Sequence, residues 1–461
     1  MSATTQTADR SPNNLANNIK GRVITPDDPT YDKERTVFYG GIDKRPSAIV
    51  RVSNVEDIQR VIATARDQGY ELAVRSGGHS VVGHSTTDGG IVIDLRDMSN
   101  IEIDAQARTA WVEPGATAIQ VTQALAEHGL VIGFGDSGSV GVGGITLGGG
   151  IGFLVRKFGM TIDSLLAAEI VTADGRHLRA DTEHHADLFW ALRGGGGNFG
   201  VVTRLQFRLN EMKQFTGGIL ILPATPETIA GFAAAALTAP DELSTIGNVM
   251  PAPPMPFLPP EVHGRLVIFA MIAFAGDDEA ATRAIAPFRS LATPLADMVK
   301  PGPYVGMYPP EDPNYRPTAV ARTLFVDSID LSAAKLIFEY LSKSDGMRVA
   351  QLRALGGAMA RVPADATAYA HRSKAMLVNV AAFYDGEADR EVRRAWVTEF
   401  AKKLQPNDDS AYVGFLTDDG QARIRGAYPD STWDRLVKVK STYDPTNLFR
   451  LNQNIQPTGS W

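Results

Sequence analysis

Three glycine-rich stretches, each beside a predicted strand, fall within the first 200 residues of this 461-residue chain. The first is Arg75-Ser76-Gly77-Gly78-His79-Ser80. The second spans 133–152 and includes Val140-Gly141-Val142-Gly143-Gly144 and Gly148-Gly149-Gly150-Ile151-Gly152. The third is Arg193-Gly194-Gly195-Gly196-Gly197-Asn198-Phe199-Gly200. Glycine tolerates positive φ and lets main-chain N–H groups approach a ligand closely. Successive amides arranged that way form a nest for anionic groups such as pyrophosphate. One Gly-Gly pair alone is commonly a tight turn and nothing more. Three clusters around βα elements favour a large phosphate-bearing cofactor.

The surrounding pattern is βα in character. Residues 49–52 read as a strand. Asn54 caps a helix whose apolar face is Ile58, Val61, Ile62 and Ala65, and Gly69 stops it. A strand over 72–74 then runs into the first glycine stretch. Further strands are predicted over 91–95, 165–172 and 201–209, and helices over 117–128 and 187–192. After about residue 210 the glycine clusters thin out. Apolar strands (218–222, 266–275, 323–326, 377–383) alternate with helices (278–286, 333–344, 389–404, 432–440). Pro287 is expected to end the helix over 278–286. The proline-rich stretch 251–260 reads as a surface loop. Alternation over 376–383 puts Asn379 and Ala381 on one face and Val378 and Val380 on the other. One of these faces is expected to line a mostly apolar pocket with aromatic walls.

Composition removes several kinds of chemistry. The chain has no cysteine, so disulfides, thiolate metal sites and cysteine nucleophiles are excluded. The net charge of −7 is without a basic block, which gives no electrostatic support for a nucleic-acid or anionic-membrane partner. No apolar run is long enough to span a bilayer, and residues 1–18 lack the apolar core of a signal peptide. Residues 1–20 read as a disordered tail, and the chain as cytoplasmic. None of the eight histidines has metal-ligand spacing, so no metal site is expected. The sequence carries no signal for oligomeric state.

Two further motifs compete for the second stretch. Gly133-Phe134-Gly135-Asp136-Ser137-Gly138 matches G-x-G-x-x-G. The residues after it, 139–150, look too rich in glycine to open a helix, and a dinucleotide fingerprint needs one. Gly135-Asp136-Ser137-Gly138 resembles the nucleophile segment of serine proteases, with His79 as a conceivable base. Neither strand context nor an elbow supports that serine hydrolase.

The ordered set of motifs resembles the berberine-bridge-enzyme-like FAD-linked oxidases of the vanillyl-alcohol-oxidase / p-cresol-methylhydroxylase superfamily. In particular it is similar to bacterial 6-hydroxynicotine oxidases. Residues 75–80 resemble the flavin-attachment loop, and the second stretch the next flavin-contacting segment. The third motif starts at Leu188-Phe189-Trp190-Ala191-Leu192 and continues to Val201-Val202-Thr203. Tyr443-Asp444-Pro445, Asn447, Phe449 and Asn452-Gln453-Asn454-Ile455 resemble the C-terminal closing segment.

The resemblance implies an α+β protein. A two-part FAD-binding domain of the p-cresol-methylhydroxylase type would comprise 21–205 and 420–461. A substrate domain, 206–419, would carry an antiparallel sheet covered by helices. FAD would bind through Arg75, Ser76, Gly77, Gly78, His79, Ser80, Gly83, Ser137, Val140, Gly141, Gly143, Gly144, Gly148, Gly149, Gly150, Gly152, Val201, Asn452 and Asn454. His79 would carry a covalent link to the flavin 8α-methyl. Many relatives add a second link from a cysteine; Ser137 stands at that position, so a single attachment is implied. Val140 aligns with the residue that gates oxygen to the flavin, and a valine there resembles oxidases.

The implied activity is hydride transfer from a small-molecule alcohol or amine carbon to flavin N5. Dioxygen would reoxidise the flavin, giving hydrogen peroxide; a dehydrogenase with another acceptor is the alternative. An alcohol substrate also loses a proton, so a base is expected. Tyr412, in Tyr412-Val413-Gly414-Phe415, matches the family's Tyr-x-Asn-Tyr/Phe strand except that Gly414 stands where Asn is usual. Tyr412 is the first candidate base and Tyr428 lies in another flavin-facing region. Residues 358–363 and 368–372 resemble strands near the substrate cavity.

Overall fold

The computed structural model of the chain describes residues 15, 18–310, 312, 314–343, 346–417 and 420–459. The expected disordered tail lies almost wholly outside the described residues. The first βαβ unit forms as its sequence dictates. Asn54 accepts a hydrogen bond from the Asp57 amide, and the helix Val55–Gln68 ends at Gly69 in the left-handed region. Its apolar stripe, Ile58, Val61, Ile62 and Ala65, is fully buried. A cap of this kind contributes about 1 kcal/mol. The strands Ala48–Arg51 and Leu72–Arg75 both pair parallel to Ile91–Asp94, and Arg22–Ile24 adds an antiparallel edge.

Two larger sheets follow. The strands Ile101–Asp104, Thr109–Val112, Leu165–Val171, His177–Ala180 and Val201–Arg208 form a five-stranded antiparallel sheet. Residues 216–383 supply an eight-stranded antiparallel sheet. Its middle consists of Leu266–Phe274, Leu243–Pro251, Arg348–Ala354 and Met376–Phe383. The helices Pro226–Thr238, Asp278–Arg289, Leu331–Ser342 and Gly386–Leu404 cover one face of it. There Val378, Val380 and Ala382 pack with Phe232, Ile337 and Phe400. The opposite face turns towards the glycine-rich half: Leu377 and Phe325 pack with Ile151, Met160 and Tyr412.

Four details depart from the sequence reading. A short helix, Val142–Leu147, does form inside the second glycine stretch. Burial of Val142, Thr146 and Leu147 outweighs the low helix propensity of its two glycines. It belongs to no dinucleotide-type βαβ unit, because the preceding strand Leu130–Val131 pairs antiparallel with Asn210–Glu211. The helix Asp278–Arg289 runs through Pro287. Proline removes only its own amide bond, and Ser290 N still reaches the Ala286 carbonyl at 3.1 Å. Residues Ala358–Arg361 form one helical turn, and 368–372 are irregular, so neither is a strand. Tyr412 precedes a 3-10 turn, Val413–Phe415, instead of lying on a strand.

Candidate functional site

The glycine stretches converge because their backbones need one another's space. A Cβ on Gly77 would lie 2.2 Å from the Gly141 nitrogen, and one on Gly141 would lie 2.1 Å from Ser76 Oγ. Only glycine at both positions lets these two loops touch. Ser76 Oγ donates to the Pro114 carbonyl at 2.5 Å, which anchors the same junction. The second and third stretches join at Leu147, whose carbonyl accepts from Gly194 N and Gly196 N at 3.2 and 3.0 Å.

The C-terminal segment is sewn to the third stretch. Asn198 donates through Nδ2 to the Gly195 and Gln453 carbonyls, and its Oδ1 accepts from Ile455 N at 3.0 Å. Lys440 is wholly buried and donates to Asn198 O, Asp444 Oδ2 and Phe449 O at 2.7–2.9 Å. Burial lowers the Lys440 pKa, and the Asp444 carboxylate opposes that shift. Asn452 Nδ2 bonds to the Gly197 and Phe449 carbonyls. The side-chain oxygens of Asn452 and Asn454 are buried and have no partner.

His79 follows the Gly77-Gly78 turn and is half-buried. Phe38 stacks on its imidazole at 4.0 Å, and Nε2 lies 2.8 Å from Ser139 Oγ. Ser137 Oγ is 3.5 Å from the same hydroxyl. Val140 is half-buried, and its carbonyl accepts from Ala118 N at 3.0 Å. Gly144 is exposed, with no heavy atom within 4 Å of a Cβ placed there. Gly143 and Gly148 are buried along the short helix and its cap. Gly150, at φ +79°, leaves no room for a side chain beside Thr161. Gly149 and Gly152 are buried beside it, while Gly78, Ser80 and Gly83 shape the turn around His79. Ser80 Oγ accepts from His84 N at 3.1 Å.

Three expected site residues have other work in the structure. Arg75 points inward and is 1% exposed. It donates to the Glu34, Arg35 and Ser85 carbonyls and lies 3.7 Å from Asp94. Burial pushes its pKa down to about 10, which leaves it charged at neutral pH. Val201 buries its side chain in the βαβ core with Val171 and Ile93, leaving only main chain for a ligand. Tyr428 is 1% exposed and donates to the Gly194 carbonyl at 3.0 Å. Its hydroxyl fixes the third glycine stretch from behind.

Tyr412 stands at the interface of the two halves. Its hydroxyl accepts from Gly150 N at 2.9 Å. Burial pushes its pKa up to about 12, opposed by the Gly150 amide and the Arg353 charge. A Cβ at position 414 would lie 2.8 Å from the Tyr412 ring, so Gly414 is what lets the ring fold back over the turn.

Across from Tyr412, the sheet face turned away from the helices is more polar than its strands suggested. Cross-strand pairing aligns Asn248, Gln351, Asn379 and Thr323 in one row. The neighbouring row holds Ile246, Arg353, Leu377 and Phe325. Arg353 Nη2 bonds to Asp136 Oδ2 at 2.6 Å, and its Nε to Gln351 Oε1 at 2.8 Å. Its guanidinium carbon lies 5.0 Å from the Phe415 ring centre. The aromatic residues Tyr369 and Phe415 meet Tyr412 edge-on. So the face carrying Asn379 is the one turned towards the site. The sequence reading passed over Asp136, Arg353, Gln351 and Asn248 as site residues. Only strand pairing reveals the row.

The residues present fit a flavin dinucleotide: close-packed glycine backbones, a half-buried imidazole beside them, and unpartnered buried asparagine oxygens. Among the described residues, no three His, Asp or Glu side chains gather in metal-binding geometry. No helix of those residues is long and apolar enough to cross a membrane.

Comparison with known proteins gives the assignment. Residues 46–181 match the FAD binding domain family, and 411–456 the berberine and berberine-like family. The chain is 31% identical to (R)-6-hydroxynicotine oxidase of Paenarthrobacter nicotinovorans, over 96% of this chain and 98% of that enzyme. It belongs to the berberine-bridge-enzyme-like FAD-linked oxidoreductases. The crystal structure of 6-hydroxy-D-nicotine oxidase from Arthrobacter nicotinovorans superposes with a TM-score of 0.84 at 28% identity. That match covers 95% of this chain and 98% of the other. Xylooligosaccharide oxidase of Thermothelomyces thermophilus is 26% identical over 95% of this chain and 93% of that enzyme. This FAD-linked oxidoreductase therefore has one similar protein named for an amine substrate and another named for a sugar. Membership displaces the serine hydrolase reading of the 135–138 segment.

Proposed function

We propose that the protein is an FAD-dependent oxidase acting on a small-molecule alcohol or amine carbon, with dioxygen as electron acceptor and hydrogen peroxide as product. The observation that carries this reading is the junction of Gly77 with Gly141, which brings His79 and Ser139 together beneath Phe38. FAD, when bound, supplies the hydride acceptor and hands the electrons on to dioxygen. His79 is the residue to which we assign its single covalent attachment. Residues 21–205 and 420–461 would hold the dinucleotide and 206–419 the substrate. The eight-stranded sheet, drawn wholly from residues 216–383, supports a separate substrate portion.

The protein's own part in the reaction is orientation and proton handling. Tyr412 would take the proton of a substrate hydroxyl. Burial holds the phenol up near pH 12, so it is protonated at neutral pH. The Gly150 N–H and the Arg353 charge favour the phenolate once the proton leaves. Val140, beside the Ser139 hydroxyl, would leave dioxygen room to enter. Peroxide yield per substrate oxidised, compared with reduction of an artificial dye, tests the acceptor. Near-stoichiometric peroxide supports an oxidase, whereas dye reduction without peroxide makes the protein a dehydrogenase.

A further inference from the structure

We infer that the buried ion pair of Asp163 with Arg372, which joins the two halves of the chain, is a positioning pair for Tyr412: it holds the Gly150 N–H on the tyrosine hydroxyl and Tyr369 against the ring. This rests on the reading of Tyr412 as the base and deepens it. The side chains of Asp163 and Arg372 are 8% and 2% exposed. The guanidinium grips the carboxylate as a fork, Nη1 to Oδ2 and Nη2 to Oδ1, each at 2.8 Å. Two charges taken out of water carry a large desolvation cost, and well-packed apolar side chains could hold an interface as firmly. What apolar side chains lack is the direction a fork imposes.

Each partner is tied to one side of Tyr412. Asp163 closes the short turn Thr161–Asp163, where its Oδ2 accepts from Met160 N at 2.8 Å. That turn is bonded to the second glycine stretch. Thr161 N reaches the Gly150 carbonyl and Ile162 N the Gly149 carbonyl, both at 3.1 Å. Arg372 donates from Nε to the Tyr369 carbonyl at 3.2 Å and from Nη2 to Thr367 Oγ1 at 2.8 Å. Its guanidinium carbon lies 5.3 Å from the Tyr369 ring centre. Tyr412 stands between these two anchored segments, its hydroxyl on Gly150 N at 2.9 Å and its ring edge-on to Tyr369 at 6.0 Å. A bond from an N–H strengthens as the hydroxyl becomes a phenolate, so its alignment governs how readily the proton leaves. The other groups acting on Tyr412 are the charges of Arg353 and Asp136 and the phenols of Tyr369 and Tyr428. Arg193 is a further charge beside the pair and donates to the Ala366 carbonyl. Asp163 and Arg372 cancel each other's charge, so their influence on Tyr412 runs through geometry.

The test places 3-fluorotyrosine at position 412 of the FAD-loaded protein and follows its fluorine resonance up to about pH 11, one unit past an ordinary phenol. The parent is compared with three variants. Arg372→Lys keeps the charge and loses the fork. Asp163→Asn with Arg372→Gln removes both charges together. Lys157→Gln breaks the Lys157–Glu242 pair across the same interface and is the control. The titration should move up by about one pH unit in the double variant, a tenfold higher proton affinity, as one bond to a charged oxygen is lost. It should move by less in Arg372→Lys and stay in place in Lys157→Gln. Where the double variant does not fold, Arg372→Lys decides. Curves that coincide with the parent's, or move down, overturn the inference. So does an equal shift in Lys157→Gln, because any loosening of the interface would then suffice. If neither variant of the pair folds with FAD, the pair serves stability alone and the inference falls. The base reading fails separately: undiminished turnover in Tyr412→Phe removes it, whatever the fluorine curves show.

Discussion

Replacing Gly77 by alanine tests the cradle at its tightest point. The added methyl would sit 2.2 Å from the Gly141 nitrogen, 2.9 Å from its Cα and 3.0 Å from the Ser139 carbonyl oxygen. Comfortable carbon contacts lie near 3.5 Å, so the loops must separate by roughly 1.3 Å. Every obstructing atom is backbone, and no side chain can swing aside. Overpacking of this kind costs about 1–3 kcal/mol, and each kcal/mol lowers Tm by about 2–4 °C in a domain of some 200 residues. The same separation would stretch the 2.8 Å His79–Ser139 contact, so covalent flavin content should fall as well. Gly144→Ala is the control. It has open space around it and lies within a helix, where alanine is favoured by about 1 kcal/mol. Apo-protein carrying Gly144→Ala should be as stable as the parent or more so, yet load less FAD if that surface faces the cofactor. The measurements are the ratio of flavin to protein absorbance and thermal melts with and without FAD. Gly77→Ala protein that melts within a degree of the parent and carries full flavin would refute the close-contact argument.

Further outcomes follow from the same geometry. If Tyr412 acts as a base with a pKa near 12, kcat/KM should climb about tenfold per pH unit from 7 to 10. Tyr412→Phe should remove that slope and lose about 10²–10⁴-fold in rate; a flat profile in the parent would contradict the assignment. Tyr428→Phe should cost about 1 kcal/mol of stability, from its lost bond to the Gly194 carbonyl, with turnover within a fewfold of the parent. A hundredfold fall in kcat at full flavin loading would make it a catalytic group. Burial holds the His371 pKa below its ordinary value of 6.5, while Nε2 bonds to the Gly426 carbonyl. The unfolded chain therefore protonates first as pH drops. His371 contributes stability that is intact above pH 6.5 and declines as pH falls towards the lower folded value. Melts at pH 5 and 7.5 should show that decline, and His371→Gln should reduce it; equal declines in both proteins would contradict the assignment.

Local chemistry made much of the fold legible. Asn54, its apolar stripe and Gly69 define a helix without help from the rest of the chain, and the structure has it within a residue. The close approach of the glycine stretches was legible because it is a local demand of the backbone. Direction was not legible. Arg75 and Val201 were expected among the flavin-binding residues, yet their side chains point into the core. Helix Val142–Leu147 escaped because packing, not propensity, holds it. The row Asn248, Gln351, Asn379 and Thr323 joins residues more than a hundred positions apart through register alone, which no periodicity within one strand encodes. Asp136, which pairs with Arg353 of the neighbouring row, sits inside a motif whose glycines drew the attention.

The most direct test of the account is made on purified protein. It is precipitated with acid and digested, and the peptide containing His79 is weighed by mass spectrometry. The account predicts yellow protein that stays yellow after denaturation and a His79 peptide heavier by one FAD. Colourless protein that remains colourless when FAD is supplied would contradict the whole reading. An unmodified His79 peptide from flavin-loaded protein would contradict the covalent attachment alone.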